Sequence, residues 1–383
     1  MADEGKTTRV TQEARAWVDD VLVAVSAETL RIDKRGTQPV LCFPKKDLHG
    51  TLPATGVLTS APEGYVAFDT AEPRVRVMIV DRYPGDPEGF HNLVRFPTWG
   101  DATDLVAMLD VRAEGSDYLS IVRDNAANPH RDVVEASQIL GQALVAAGRK
   151  YPDRRAVNAS MAFLKVANTS EPLRVQLEEH SNGRQFTALG VKVVQAGKLA
   201  ASGTMLLDVT APDVMRHEEP AGTLSNPYDA VFYDMSMTGR DMRYVEGAYS
   251  NDPDAPVGPP DIDAWLRFRG VPEDRFLHQA LLASFTGNAS IAAAMRPHAG
   301  IGQSQAHRTL STAINAITIS FHADVRADQW LLYKHRSTFA GAGMTHSDNR
   351  VYDAKGKLLA SFSVEAMVRA MPTSRAVNEK TAL

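Results

Sequence analysis

One short run of the chain gathers side chains suited to acid–base chemistry. It spans residues 124–132 and places the carboxylate of Asp124 six positions before the imidazole of His130. A carboxylate and an imidazole can share one water molecule and move its proton. The run also suits a structural role, because Asn128-Pro129 is an ordinary turn pair and Asp132 is an ordinary helix N-cap. Both interpretations remain open at this point.

Other reactive groupings are sparse. Cys42 is the single cysteine, which excludes an intramolecular disulfide, and its apolar neighbours predict a packed thiol rather than a reactive one. The 11 histidines are scattered, and neither an HExxH nor a CxxC motif occurs. We therefore expect no metal centre and no cofactor.

Composition narrows the class of protein. The chain has 383 residues, 44% of them hydrophobic and 23% charged, which is typical of a folded protein of two or three domains. A net charge of −5 argues against nucleic-acid binding as the main role. No apolar stretch approaches the roughly 20 residues of a membrane helix, and the N-terminus has no apolar signal core. We therefore expect no membrane association and a cytoplasmic location.

The chain divides by pattern into three predicted segments, 1–88, 89–215 and 216–383. The first reads as a small all-β domain, in which short apolar runs alternate with Gly and Pro and a hairpin is predicted around Asp19-Asp20. In the second, a helix-like run at 132–147 precedes several strand-like runs. The third segment begins with a Pro-containing linker, and in it a helix-like run at 274–295 also precedes several strand-like runs. This repeated order predicts a duplicated α+β unit.

Four motifs of the C-terminal two-thirds carry a family resemblance. They are FH-x7-WLLY at 321–333, KGKLLAS at 355–361, QILGQAL at 138–144, and the segment 278–298, which ends in Arg-Pro-His. Together they resemble the acyl-CoA thioesterase II family over about residues 102–371. The resemblance implies a double hotdog fold, in which two long helices are each embraced by an antiparallel sheet. It also implies an acyl-CoA or acyl-carrier thioester as substrate and a homo-oligomer. The first 85 residues resemble, instead, a small all-β bacterial domain family.

The same resemblance implies a hydrolytic site made of three side chains. The family supplies an Asp on the second helix, a Thr or Ser on the following strand and a Gln on the last strand. Gly287, Ile314 and Val364 stand at these positions. None of these side chains can activate water. We therefore expect the family's usual site to be absent.

Neighbouring residues are candidates to replace it. Asn288 and Thr312 can orient water, although polar capping or solvation explains each of them as well. Glu365 follows the lost Gln position but alternates to the other face of its strand, which favours a structural role. Glu135 resembles the helical carboxylate of some other hotdog thioesterases, which makes it a candidate base one turn into the first helix. The alternative is that Glu135 lies on a solvent-exposed helix face.

Three residues are candidates for substrate binding. Gln138 matches the family motif and can hold a thioester carbonyl, or it packs between helices. His307 and Arg308, in the loop 300–309, can meet the phosphates of a CoA or carrier arm, or they face solvent.

Three functions follow as hypotheses. The leading one is an acyl-thioester-processing enzyme, a hydrolase acting through replacement residues. The first alternative is hydration or dehydration of an acyl thioester by Asp124 and His130, because residues 124–132 resemble, with altered spacing, the signature of hotdog enoyl-CoA hydratases. The second alternative is a non-catalytic acyl-binding or assembly module.

Overall fold

The computed structural model of the chain describes residues 6–10, 13–33, 40–50, 56–58, 61–69, 72, 74–81, 92–95, 102–120, 133–168, 171–232 and 240–371. Contacts divide the chain into two compact units. The first is Met1–Asp101 with Asp234–Arg240, and the second is Ala102–Tyr233 with Asp241–Leu383. The finer division into three segments stays a prediction.

Short antiparallel strands in two sheets build the first unit. Its described strands are β1 (Lys6–Arg9), β2 (Ala14–Val18), β3 (Val21–Ser26), β4 (Leu30–Asp33), β5 (Val40–Pro44), β6 (Val57–Leu58), β7 (Tyr65–Phe68), β8 (Val75–Asp81) and β9 (Asn92–Arg95). They form one sheet in the order β1-β4-β5-β7-β6 and another in the order β3-β2-β8-β9. The predicted small β-rich region is therefore confirmed.

The predicted hairpin around Asp19-Asp20 is also confirmed. β2 and β3 pair with Val18 opposite Val21, which leaves the two aspartates as the loop. Both aspartates have positive φ, 50° and 64°. A type I′ turn needs positive φ at both central positions, and Asp tolerates it better than most residues. The sequence therefore closes this hairpin without glycine.

Cys42 lies in the core of the first unit. It is 0% exposed and stands opposite Ala67 in the β5–β7 pair. Burial raises the pKa of its thiol to about 11, because a thiolate loses its solvation there. The predicted packed, unreactive thiol is confirmed.

A longer sheet and four α-helices are described after residue 101. The helices are α1 (Thr103–Leu109), α2 (Ala136–Lys150), α3 (Arg275–Ala283) and α4 (Ser290–Met295). The strands are β10 (Val111–Glu114), β11 (Asp117–Ser120), β12 (Arg155–Phe163), β13 (Arg174–Asn182), β14 (Phe186–Gln195), β15 (Lys198–Asp208), β16 (Val231–Phe232), β17 (Arg240–Tyr244), β18 (Asp261–Phe268), β19 (Leu310–Phe321), β20 (Leu331–Gly341), β21 (Met344–Asp353) and β22 (Leu358–Ala370).

Two equivalent modules meet in the middle of this sheet. Its order is β10-β11-β13-β14-β15-β12-β19-β22-β21-β20-β18-β17-β16. In each module a strand, a helical segment and four antiparallel strands follow one another, and the first of those four strands is innermost. The modules therefore join through β12 and β19, which pair antiparallel from Asn158 opposite Ser320 to Ala162 opposite Ala316. This is the predicted double hotdog. None of the helices among the described residues is long and apolar enough to cross a membrane.

α2 is the central helix of the first module. Eleven of its 15 residues are buried, because α2 has the sheet on one side and α3 on the other. Two glycines let α3 approach closely. A Cβ on Gly141 would lie 3.2 Å from the carbonyl oxygen of Ala280, and a Cβ on Gly148 would overlap the ring of Phe276. These glycines therefore set the distance between the two central helices.

Substituting Gly148→Val is expected to lower the free energy of unfolding by about 1–3 kcal/mol, because the side chain must displace the buried Phe276 ring. Denaturant unfolding measures this loss. Gly183→Val is the matched control, since a Cβ there meets only the Phe186 carbonyl oxygen at 3.6 Å. Its expected change is within about 0.5 kcal/mol. Equal losses in the two variants would contradict the close helix approach.

The prediction of one continuous helix over 274–295 is wrong. α3 ends at Ala283 and α4 begins at Ser290, with turns between them. Hydroxyl groups compete for the backbone here: Ser284 Oγ donates to the Leu281 carbonyl at 2.7 Å, and Thr286 Oγ1 donates to the Ala283 carbonyl at 2.7 Å. Such bonds weaken helical continuation, and Gly287 adds backbone freedom.

Candidate functional site

Gly287 lies where the α3–α4 turn meets α2 and β19. A Cβ at this position would overlap Cδ1 of Ile314 on β19, and it would lie 3.5 Å from Oγ of Ser137 in the first turn of α2. Ser137 is 3% exposed. Ser137, Gly287 and Ile314 define what we call the inter-module site, because α2 belongs to the first module and the other two residues belong to the second.

Two of the three residues predicted to stand at the family's hydrolytic positions, Ile314 and Val364, lie on one face of the sheet, and Gly287 packs against that face. Ile314 pairs with Ala366, and after a bulge at Asn315 the register places Ile317 opposite Val364. Val364 and Ala366 alternate along β22, and both are buried. Their face is therefore the one that Ile314 presents to Gly287. None of the three side chains, at Gly287, Ile314 or Val364, carries a polar atom.

Two predicted site residues, Thr312 on β19 and His307 in the loop that precedes this strand, come together. Thr312 is two positions before Ile314, so both side chains lie on one face of β19, with Cα atoms about 7 Å apart. Thr312 is 7% exposed, and its Oγ1 lies 3.3 Å from Nε2 of His307. A hydroxyl and an imidazole therefore stand side by side next to the inter-module site.

His307 is held by its backbone as well as by Thr312. Its N–H donates to the Leu310 carbonyl at 2.7 Å, and its φ is +62°. Few non-glycine residues adopt this left-handed conformation, although His does so more readily than most. Such strained positions concentrate at functional sites. The loop backbone therefore holds the His307 imidazole close to the Thr312 hydroxyl.

Glu135 is not inside the first helix, so that part of the prediction is wrong. It is the N-cap of α2, with φ of −65° and ψ of 145°. The chain is still extended just before it, because the Val134 N–H donates to the Ala167 carbonyl at 2.8 Å. This contact between distant residues delays the helix start. Gln138, one turn later, is half-buried, as is Glu135 itself.

The other predicted residues lie in different settings. Asn288 is half-buried within the α3–α4 turn, and its N–H donates to the Phe285 carbonyl at 3.2 Å. Arg308 is exposed. Glu365 faces away from the inter-module site and lies 3.7 Å from Nε2 of His346, which fits its predicted structural role. Asp124 and His130 lie outside the described residues, so their role stays a prediction.

Sequence reasoning missed two polar residues near this site. Ser137 was hidden among apolar helix positions, although a polar residue on a buried helical face is a usable signal. Asn315 occupies the β19 bulge, and its Oδ1 is buried with no hydrogen-bond partner among the residues described. Bulges redirect single side chains and often occur next to functional sites. The local sequence gives no signal that predicts the bulge at Asn315.

A further buried polar pair lies deeper in the second module. His335 on β20 is 0% exposed, and its Nδ1 lies 3.4 Å from Oγ of Ser290 at the start of α4. Its ring is stacked with Tyr333 at 6.0 Å and has edge contacts with Phe285 at 6.2 Å and Phe362 at 5.6 Å. Burial lowers the pKa of His335 to about 3, because the imidazolium would be desolvated there.

This pKa makes folding stability depend on pH. An unfolded imidazole titrates near 6.5, so between pH 3 and 6.5 the unfolded chain binds the extra proton and stability falls as pH falls. Between pH 8 and pH 5 the contribution lost is about 2 kcal/mol. His335→Phe removes it, so the free energy of unfolding of the variant should fall less over this range. Identical pH dependence in both proteins, measured by urea unfolding, would contradict this burial.

Sequence comparisons agree with this architecture. The profile of the acyl-CoA thioesterase N-terminal domain matches residues 127–207, and that of the acyl-CoA thioesterase C-terminal domain matches residues 212–368. Acyl-coenzyme A thioesterase 8 of Homo sapiens is 24% identical over 269 residues, which cover 61% of this chain and 80% of that protein. Acyl-CoA thioesterase 2 of Haemophilus influenzae is 25% identical over 258 residues, covering 62% and 87%.

Solved structures share the fold. A tesB protein of Mycobacterium avium subsp. paratuberculosis superposes with a TM-score of 0.59 at 19% identity, covering 70% of this chain and all of its own. An acyl-CoA thioesterase II of Mycobacterium marinum gives 0.58 at 23% identity, covering 70% and 98%. The two domain profiles together match more than half of the 383 residues. The chain therefore belongs to the acyl-CoA thioesterase II family.

Proposed function

We propose that this chain hydrolyses acyl-CoA thioesters at the inter-module site, with His307 as the general base and Thr312 as the residue that holds the attacking water. The observation that carries the proposal is the 3.3 Å approach of Thr312 Oγ1 to His307 Nε2. Thr312 lies on β19, the strand whose Ile314 contacts the Gly287 position. The thioester substrate is what relatives in this family are named for.

A substitute base is needed because the positions of the usual residues are apolar. Gly287, Ile314 and Val364 offer no group that accepts a proton from water, and the Ile314 side chain occupies the space that a Cβ on Gly287 would need. Asn288 lies next to that space, but an amide is not a base near neutral pH. Among the sequence candidates that lie in described residues, His307 is the one whose imidazole pairs with a buried hydroxyl beside the site.

The proposed step balances without any cofactor. His307 Nε2 takes a proton from the water while the water oxygen attacks the thioester carbonyl. The C–S bond then breaks, and the imidazolium returns the proton to the departing CoA sulfur. The side chain of Glu135 does not cap the first-turn N–H groups of α2, so these groups and the hydroxyl of Ser137 would serve as donors to the developing oxyanion. Arg308 is exposed and follows His307 in the chain, and its guanidinium would bind a phosphate of the CoA arm.

Thiol release tests the proposal directly. The full chain is incubated with short, medium and long acyl-CoAs, and free CoA is measured with a thiol-reactive dye. We expect release that depends on enzyme concentration. Loss of enoyl-CoA absorbance without thiol release would overturn hydrolysis in favour of hydration by Asp124 and His130.

Acyl binding without turnover is the second candidate, and the apolar set at Gly287, Ile314 and Val364 favours it. Its signature is thermal stabilisation by acyl-CoA that grows with ligand concentration. Stabilisation with no thiol release, for every chain length, would establish this role and overturn the hydrolytic proposal.

A further inference from the structure

The hydrogen bonds around His335 fix which of its nitrogens carries the proton. Ser290 Oγ donates its hydrogen to the Thr286 carbonyl at 3.0 Å. Its lone pairs are then left to accept from His335 Nδ1, 3.4 Å away. The imidazole therefore carries its proton on Nδ1, and Nε2 is a bare acceptor.

That acceptor has no donor in the part of the chain that is described. Nε2 of His335 is buried and lacks a hydrogen-bond partner among those residues. Its ring contacts are the aromatic groups of Phe285, Tyr333 and Phe362. Buried polar atoms are rarely left unpaired, because desolvation without a hydrogen bond is unfavourable. A neutral imidazole acceptor inside an aromatic shell calls for a hydrogen-bond donor from outside the described side chains, and a hydroxyl group is a small donor of this kind.

His278 shows that this arrangement is specific to His335. His278, on α3, is 2% exposed, and its Nδ1 accepts from the Ala327 N–H at 3.0 Å. Its proton is therefore on Nε2, so its unpaired atom is a donor. Only His335, of these two buried histidines, offers a lone pair.

His335 also lies close to the inter-module site. Ser290, its partner, follows Gly287 by three residues, so their Cα atoms lie at most about 11 Å apart. An acyl chain whose thioester lies at Gly287 would need to extend only over this short distance to approach His335.

We propose that His335 determines acyl-chain specificity by accepting a hydrogen bond from a hydroxyl group on the chain, so that the protein prefers hydroxylated acyl thioesters. This inference rests on the proposed function, since it requires an acyl group in the second module. A keto group cannot replace the hydroxyl, because the keto oxygen, like Nε2 of His335, only accepts hydrogen bonds.

Binding of matched ligand pairs tests the inference. Non-hydrolysable S-alkyl-CoA thioethers are compared with their counterparts that carry a hydroxyl at carbon 3 or at the chain end, by calorimetry with the full wild-type chain. We expect at least one hydroxylated member to bind about tenfold more tightly than its plain partner. Equal or weaker binding of every hydroxylated member overturns the inference and leaves the proposed function standing. Absence of binding by all members overturns both.

Variants identify the residue responsible. His335→Phe keeps an aromatic ring but removes the acceptor, so the two ligands of a pair should bind equally. Ser290→Ala frees Nδ1 and should reduce the preference. Ser284→Ala is the matched control, because its hydroxyl also bonds a helical carbonyl, that of Leu281, and should leave the preference intact.

A spectroscopic measurement covers the case in which His335→Phe does not fold. Nitrogen-15 NMR of the wild-type chain should show the assigned His335 imidazole in the Nδ1–H form, with an Nε2 resonance that shifts when the hydroxylated ligand is added. An Nε2–H form at His335 would overturn the inference, since that nitrogen would then be a donor.

Discussion

Replacing His307 with asparagine is expected to lower kcat for acyl-CoA hydrolysis by about 100- to 10,000-fold, the range that general-base catalysis contributes. Asparagine tolerates the left-handed backbone at this position, where φ is +62°. Its amide can still hydrogen-bond to Thr312, but it cannot take a proton from water. KM should change little, because the acyl-binding surface is untouched. Thiol release at saturating acyl-CoA measures the effect.

His322→Asn is the matched control for this substitution. His322 also pairs with a hydroxyl, since its Nε2 lies 2.8 Å from Oγ of Ser361, but it follows the end of β19 and lies away from Gly287. Its substitution should leave kcat unchanged. Equal losses in the two variants would remove His307 from the mechanism.

Local chemistry made much of the fold predictable. The Asp19-Asp20 hairpin follows from two apolar runs around residues that tolerate positive φ. The duplicated unit follows from the order of elements, a helix before several strands in each half. Both depend on short-range pattern, and the pairing of β12 with β19 then follows from the equivalence of the modules.

Two features of the helices, the start of α2 and the break between α3 and α4, were not predicted, for different reasons. The start of α2 is set by the bridge from Val134 to Ala167, which keeps Glu135 outside the helix. The break between α3 and α4 has local causes in Ser284, Thr286 and Gly287, but the continuous apolar pattern around them favoured one helix. A helical pattern of hydrophobic residues indicates which face is buried, but it does not show whether the helix is continuous.

The candidate site was predictable as a list of residues but not as an arrangement. Thr312 and His307 were named for separate roles, in water orientation and phosphate binding, and their pairing depends on the left-handed turn at His307. Ser137 and Gly287 are 150 positions apart, so only the packing of α2 against the α3–α4 turn brings them together. Spacing along a chain carries no information about such a contact.

Restoring the family's three side chains is expected to create hydrolysis that no longer needs His307. The variant combines Gly287→Asp, Ile314→Thr and Val364→Gln, the residues that the family resemblance implies at these positions. In a His307→Asn background it should release thiol from acyl-CoA at least about tenfold faster than His307→Asn alone, because a carboxylate, a hydroxyl and an amide can again orient and deprotonate water.

The order in which these substitutions are introduced should matter. Gly287→Asp alone places a Cβ against Cδ1 of Ile314, so we expect it to lower the free energy of unfolding by about 1–3 kcal/mol. Ile314→Thr removes that methyl group and keeps a β-branched residue in the strand. The pair should therefore be more stable than the sum of the single effects, with a coupling of about 0.5–3 kcal/mol measured by denaturant unfolding.

The stability coupling and the thiol-release rate together test whether Gly287 and Ile314 replace the family's residues in the fold. Positive coupling with restored thiol release would mean that Gly287 and Ile314 are a packed replacement for the family's residues at the same point in space. Positive coupling without any thiol release would mean that the packing is as described but that the alignment of Val364 with the family's Gln is wrong, since that is the position tested by activity alone. Additive single effects would contradict the contact between Gly287 and Ile314 itself, and with it the inter-module site.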